Sequence, residues 1–307
     1  MSPTTLCFFN MAENAGVVDD LARDLKALDI ALPDDSDSTN AHDRGTGSKA
    51  CCSKQVLVLD AGYGFPREKK VRKEKINAIA SQLSNFLVWQ TGRTDSTAGG
   101  GCKYALVRVV GCPDENTRKI LENRTIENMK RASSASSASN LKGNNLPSHV
   151  TISCETLEQC LDDLAANHPD IIANQIPHGK IDKPVYLSPD AAESLDPRSE
   201  PPEIAVVGLL IDRRVQPNRS RDRAQTIGII ARRWPLEDCF GEIDSHEPLN
   251  VDCVLEGMQQ WWWNWKDTSV TCSDDVKRET FIQAASQAIE HHVTRHPSRP
   301  LHIDKNH

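Results

Sequence analysis

An α/β domain built on a mainly parallel sheet is the fold class this sequence predicts, and three observations predict it. From Gln55 onward strand-like runs alternate with helical patterns, the order a parallel sheet needs because each crossover carries a helix. Ile204 to Ile211 is a continuous apolar run with β-branched residues, the composition of a strand buried on both faces. That run stops at Asp212; Gln216 to Ser220 supplies turn chemistry, Arg221 to Gly228 can form a short helix closed by its glycine, and Ile229 to Ala231 begins a second buried strand. The outcome is a β-loop-α-β unit. Ligands of open parallel sheets bind beyond the carboxyl ends of the strands, so Asp212 and Trp234-Pro235-Leu236 stand where chemistry is expected.

The remaining elements follow in chain order. Residues 1–53 combine one acidic amphipathic stretch (Val18, Leu21, Leu25, Leu28) with an Asp/Ser/Thr/Gly-rich remainder, which predicts one short helix in an otherwise disordered region rather than a domain. Gln55 to Asp60 reads as a strand ending on an aspartate, and Lys69 to Trp89 as a helix with Ile76, Ile79, Ala80, Leu83 and Leu87 on one face. Thr94 to Gly101 is a Ser/Gly-rich loop before a strand at Tyr104 to Val110. Arg131 to Asn145, with its SSASSAS core, reads as a flexible insertion spanning 131–147. Val150 to Ile152 is a strand, Leu157 to Ala166 a helix, and Val185 to Leu187 a strand running into Ser188-Pro189-Asp190. Helices are predicted at Asn250 to Trp265 and at Lys277 to Val293, the latter with Ile282, Ala285, Ile289 and Val293 aligned. The domain plan is therefore an N-terminal region at 1–53, a core domain at 54–270 and a helical extension with a tail at 271–307.

Composition narrows the class. The chain has 307 residues, 38% of them apolar, enough for one catalytic-sized core. No run of eighteen apolar residues occurs, so no membrane span is expected. The acidic N-terminus lacks both the basic-then-apolar order of a secretory signal and an arginine-rich presequence. Cytoplasm or nucleus is expected rather than mitochondrion. Ten cysteines are scattered without any CxxC pair, which predicts reduced thiols and no metal site. A net charge of -7 speaks only weakly against nucleic acid, because the distribution of sign matters more. Residues 204–234 carry Arg213, Arg214, Arg219, Arg221, Arg223, Arg232 and Arg233 against Asp212 and Asp222, and a second basic run holds Arg67, Lys69, Lys70, Arg72, Lys73 and Lys75. Such runs are commonly solvated faces, yet arginines without lysine favour forked contacts to phosphate.

Taken together, VLVLDAGYGF at 56–65, the helix containing Ser81-Gln82-Leu83, VYLSPD at 185–190, VVGLLIDRR at 206–214, ARRWPLE at 231–237 and LNVDCV at 249–254 resemble one family. It is the tRNA purine-9 N1-methyltransferase family, a branch of the SPOUT superfamily, and the resemblance runs in order over about residues 55–265. It implies helices on both faces of the sheet and a SPOUT-type C-terminal trefoil knot, an exception to unknotted topology. It also implies S-adenosyl-L-methionine as cofactor, held in the knot by loops beginning at Leu187, Gly208 and Trp234; the implied cofactor-binding residues are Leu187, Ser188, Asp190, Val207, Gly208, Trp234, Leu236 and Val251. The implied catalytic residues are Asp212 and Gln82. With tRNA as partner, Arg213, Arg214, Arg219, Arg221, Arg223, Lys69, Lys70, Arg72 and Lys73 would meet phosphates, in a monomer with room for a protein partner in tRNA processing. Three features depart from the family pattern: Leu209 replaces a second glycine, Asp252-Cys253 stands where an Asn-Gln pair is usual, and the lysine-rich N-terminal extension is not visible. The run at Arg67 to Lys75 is its candidate substitute.

Methyl transfer from a sulfonium is an in-line displacement that asks mainly for positioning. Guanine N1 carries a proton, so a base such as Asp212 would help, whereas adenine N1 carries none and the aspartate would only orient the base. Each candidate has an ordinary alternative. Asp212 can be a strand-end carboxylate paired with Arg213 or Arg232; Ser188-Pro189-Asp190 can be a plain turn; Gln82 can be a satisfied helix-packing glutamine. Trp261, Trp262, Trp263 and Trp265 can stack on bases, but packing of a C-terminal helix is the better reading. At the level of function, a tRNA methyltransferase stands against a tRNA-binding scaffold of the same fold. A dinucleotide-binding enzyme fails for want of GxGxxG after a strand.

Overall fold

The strand-helix alternation read from the sequence is realised in the computed structural model, which describes residues 55–92, 104–135, 145–167, 184–210, 216–236, 240, 243, 246–268 and 272–295. In chain order the elements are β1 (Val56–Asp60), α1 (Lys69–Gly92), β2 (Leu106–Val110), α2 (Glu115–Ala135), β3 (Val150–Ile152), α3 (Leu157–Asn167), β4 (Val185–Leu187), β5 (Ile204–Gly208), α4 (Arg219–Thr226), β6 (Ile230–Arg232), α5 (Val251–Asp267) and α6 (Asp274–Arg295). The strands form one sheet in the order β3-β2-β1-β5-β4-β6, and every pairing is parallel.

Alternation along each strand sends side chains to two cores. Leu57, Leu59, Val107, Val109, Leu187 and Val207 face α1, α5 and α6 through Ile79, Leu83, Phe86, Met258 and Phe281. Val56, Val58, Tyr186, Ile204 and Val206 face α3 and α4 through Leu157, Cys160, Leu164 and Ala224. Helices thus cover both faces of the sheet, as expected for strands buried on both sides. The trefoil knot is not among the features the described residues display. The N-terminal region 1–53, the loop at 94–101 and the tail from 296 lie outside those residues.

Three local expectations are corrected. The Ile204–Ile211 run leaves the sheet after Gly208, so β5 is shorter than its apolar stretch. The strand predicted as buried at Ile229 to Ala231 is the sheet edge, and Ile230 is 38% exposed. The insertion expected at 131–147 begins later, because Arg131 to Ala135 complete α2, while Leu146 packs against the core. Sequence periodicity does not announce α2, since among its described side chains Leu121 and Met129 are the buried apolar ones. Local electrostatics supports it instead: Asp114 accepts from the Thr117 N–H at 2.7 Å, and Arg118 pairs with Glu115 and Glu122, each at 2.7 Å.

The C-terminal extension belongs to the main core. Phe281, Ala284, Ala285, Ala288 and Ile289 of α6 repeat at helical spacing and are all buried. Trp261 of α5 meets Phe281 edge-on at 4.9 Å and 82°, and Trp263 stacks on Trp89 of α1 at 5.6 Å. Trp261 and Trp263 therefore pack helices, in line with the packing alternative. Phe281→Ala should cost about 3–5 kcal/mol, the usual range for truncating a buried phenylalanine, whereas Val276→Ala, at a side chain 46% exposed, should stay within about 0.5 kcal/mol. Urea unfolding of the two variants checks whether α6 is core or appendage.

Candidate ligand site at the carboxyl ends of the strands

Parallel register brings the ends of four strands into line. Asp60 of β1 pairs with Gly208 of β5, Leu187 of β4 with Val207, and Leu187 also with Arg232 of β6. The loops that follow these ends are tied together by backbone groups and an imidazole. The Ser188 N–H donates to Arg232 O at 2.9 Å, Leu195 N–H to Arg233 O at 2.9 Å, and His246 Nδ1 lies 2.6 Å from Pro189 O. Leu187, Val207, Leu209, Trp234, Leu236 and Val251 then share one buried apolar cluster. The loops proposed to hold a cofactor are thus neighbours in space.

Within that cluster Trp234 has a particular setting. Its indole lies so close to Gly257 of α5 that a Cβ there would sit 2.0 Å from the ring, so the glycine is required by the close approach. The ring meets Phe281 edge-on at 5.6 Å. Trp234 Nε1 is a buried donor with no hydrogen-bond partner among the described residues. Leu209 is 1% exposed and faces the same cluster. Gln82, expected near the reacting base, accepts the Val251 N–H at 2.8 Å and so satisfies the first turn of α5. Asp252, next in that turn, is fully buried and accepts from Asn85 Nδ2 at 2.9 Å.

A second group fills the crevice between β1 and β5, where the chain changes direction across the sheet and α1 and α4 leave on opposite faces. Asp60 is fully buried. Its carboxylate accepts from Gly62 N–H at 2.8 Å, Tyr186 Oη at 3.1 Å and Arg223 Nε at 3.1 Å. Tyr186 Oη lies 2.6 Å from Tyr63 Oη. Gly208 makes room for this pair, because a Cβ at that position would stand 2.8 Å from Tyr63 Oη and 3.2 Å from Tyr186 Oη. The close approach to Gly208 on this side of the strand is made by Tyr63. Burial pushes the Tyr63 phenol well above its ordinary range, and does the same to Tyr186 with help from the Asp60 charge. Asp60, Tyr63, Tyr186 and Ser220 were not singled out as site residues from sequence, although the VLVLDAGYGF and VYLSPD motifs contain the first three.

The two basic runs flank the same loop. Arg219 Nη2 donates to Tyr63 O at 2.9 Å with its guanidinium 5.4 Å from the Tyr63 ring centroid, and Arg72 Nε donates to Pro66 O at 3.0 Å. Arg223 also approaches Glu158 at 3.6 Å. Arg72, Arg219 and Arg223 are thus engaged with the protein itself, whereas Lys69, Lys70 and Lys73 project from exposed positions, as does Arg221, whose Nη2 lies 3.4 Å from the exposed Asp222 Oδ1. Arg232, a candidate partner for Asp212, pairs with Glu193 at 2.7 Å. Asp212, Arg213 and Arg214 lie outside the described residues.

No protein-family model matches this chain, and no curated protein matches it. Solved structures similar to it include full-length spTrm10 in complex with SAH, 12% identical with a TM-score of 0.42 over 76% of this chain and 97% of that one. A dual-specific Trm10 from Thermococcus kodakaraensis is 14% identical, with a TM-score of 0.39 over 74% and 99% of the two chains. The yeast arginine methyltransferase SFM1 complexed with SAH is 13% identical, with a TM-score of 0.35 over 67% and 69%.

Two measurements test the crevice. Gly208→Ala should destabilise by about 1–3 kcal/mol through overpacking, and Tyr63→Ala in the same chain should remove most of that increment, which a double-mutant cycle by urea unfolding reports. The raised Tyr63 phenol stabilises the fold fully below the unfolded value of about 10 and loses that contribution as pH rises from there toward the folded value. Tyr63→Phe should therefore flatten the alkaline decline in stability between about pH 10 and 12, read from unfolding midpoints.

Proposed function

We propose that this chain is an S-adenosylmethionine-dependent methyltransferase acting on N1 of the purine at position 9 of tRNA, guanine in preference to adenine. The observation that carries the reading is the alignment of the β4, β5 and β6 ends, with Leu187 and Val207 sharing a buried cluster with Val251 of the first turn of α5, and with two basic runs meeting at the adjacent loop. Open parallel sheets bind their ligands beyond such strand ends. The motif order at 55–265 and the likeness to methyltransferases crystallised with SAH accord with it.

The residues present fit such a donor. Leu187, Val207, Leu209, Leu236 and Val251 offer an apolar floor, and the orphaned Trp234 Nε1 is the kind of buried donor that a ligand's acceptor satisfies. Ser188 and Asp190 would frame the pocket from the β4 loop, and Gly208 from β5. When bound, S-adenosylmethionine supplies an electrophilic methyl group on a sulfonium. The chain's own contribution is positioning and proton handling. Lys69, Lys70, Lys73 and Arg221 would hold tRNA phosphates, contacts that set affinity and register without reading sequence. Asp212, four residues beyond Gly208, would take the proton from guanine N1, freeing the pair of the N–H bond to form the bond to the methyl carbon as the carbon–sulfur bond breaks with S-adenosylhomocysteine as the leaving group. Gln82 would act by holding the α5 terminus rather than by touching the base, since its oxygen is engaged by Val251.

A second reading, a tRNA-binding scaffold with little catalysis, is favoured by one observation: Leu209 fills core space where the family pattern has glycine. Calorimetry with SAH separates the two. The enzyme reading expects saturable heat, and the scaffold reading expects none at millimolar ligand with tRNA binding retained. In a methylation assay on unmodified tRNA, Asp212→Asn should lower kcat by about 10²–10⁴ with little change in KM. Undiminished activity removes the base role.

A further inference from the structure

Helix α4 is only eight residues long, yet its first turns are fastened to both sides of the candidate site. Toward the β4 loop, Ser220 Oγ lies 2.7 Å from Ser188 Oγ, and the Asn218 N–H donates to Asp190 Oδ2 at 2.7 Å. Toward the β1 loop, Arg219 holds Tyr63 O and Arg223 holds Asp60. Ser188 and Ser220 are 2% and 5% exposed, so water cannot take over for either hydroxyl without displacing the helix. Asn218 reaches its contact in the left-handed region at φ 64, a conformation asparagine tolerates, which aims its N–H at Asp190 in place of a side-chain cap. Only Ser220 and Ala224 of α4 are buried. The helix therefore has a narrow seat in the core.

Its outer surface is where phosphate would arrive. Arg221 is exposed on that surface, and Arg219 is partly so. A phosphate drawn to the Arg221 guanidinium fixes the position of α4, and through Ser220 and Asn218 fixes Ser188 and Asp190. Both of those residues belong to the proposed donor pocket.

Resting on the function proposed above, we propose that α4 couples RNA docking to donor binding, with Ser220 as the positioning residue that transmits the coupling to the β4 loop. Docked RNA holds the donor loop in its binding shape, so the ordering cost is met once and the second ligand binds more tightly. Linkage makes the effect reciprocal: RNA must tighten donor binding by the same factor as donor tightens RNA binding.

Calorimetry on the full chain with SAH, in the absence and presence of saturating unmodified tRNA transcript at one salt concentration, reads the coupling. SAH affinity should rise at least about five-fold with tRNA present, and tRNA affinity should rise by the same factor with SAH present. In Ser220→Ala the factor should fall to within about two-fold of unity and the affinity for tRNA without SAH should stay at the wild-type value, while the melting temperature falls modestly because Ser188 Oγ loses a buried partner. Ser220→Cys, which keeps the volume and weakens the hydrogen bond, should fall between, and carries the test if the alanine variant does not fold. Arg221→Ala should weaken tRNA binding and lower the factor as well, because the phosphate then loses its grip on α4. Wild-type protein that binds both ligands with no mutual effect, or folded Ser220 variants that keep the wild-type factor, overturns the coupling and leaves the proposed function standing. Absence of any SAH binding to the wild type overturns both.

Discussion

The buried carboxylate of Asp60 is the constraint on which the carboxyl edge of the sheet depends. A charge taken fully out of water is costly unless it is paired and hydrogen-bonded, and here Arg223, Tyr186 and the Gly62 N–H all converge on it. Each partner comes from a different part of the chain: α4, β4 and the loop after β1. One carboxylate at the end of a central strand thereby sets the position of the loop bearing Tyr63, the helix bearing the arginines and the strand leading to Ser188. Gly208 completes the arrangement, because any side chain there would expel the tyrosine hydroxyls.

A comparable polar assembly fixes the far side of the site. Asp252 and Glu256, one turn apart on α5, are 0% and 2% exposed and face His291 and Arg295, one turn apart on α6. His292 Nδ1 accepts the Asn250 N–H at 3.2 Å and Gln82 accepts that of Val251, so two of the donors left open at the start of a helix find protein partners. The substitution of Asp252-Cys253 for an Asn-Gln pair is thus intelligible from packing. The aspartate has Asn85 and Arg295 as partners, and Cys253 is a small buried thiol whose pKa burial raises. The start of α5 is held by α1 and α6 together, and the apolar floor beside it inherits that rigidity.

Some of this was legible in the residues themselves. The apolar run through β5, the face of α1 at Ile76, Ile79, Ala80, Leu83 and Leu87, and the short strands at Val150 and Val185 report burial directly, because burial is what their composition encodes. Helix α2 was invisible for the complementary reason: salt bridges and a cap hold it, and few of its apolar residues are buried. The edge position of β6 escaped detection because Ile229 to Ala231 has the composition of an interior strand, and strand order is a long-range property. Gln82 illustrates the limit at the site. Its place on the buried side of α1 could be read from spacing, whereas its partner, 169 positions away in sequence, could not.

By itself the sequence determined the α/β class, the parallel pairing implied by alternating elements, the two basic runs and the carboxylates that end strands, since each follows from periodicity, composition or local charge. Tertiary structure alone decided which of those charges remain available. Arg72, Arg219 and Arg223 read as phosphate ligands in a string of letters, but folding brings them within reach of carbonyls and a buried carboxylate, and they are engaged there. The physical reason is that a hydrogen bond depends on distance and desolvation, and both are set by elements far apart in the chain that only the closed sheet brings together.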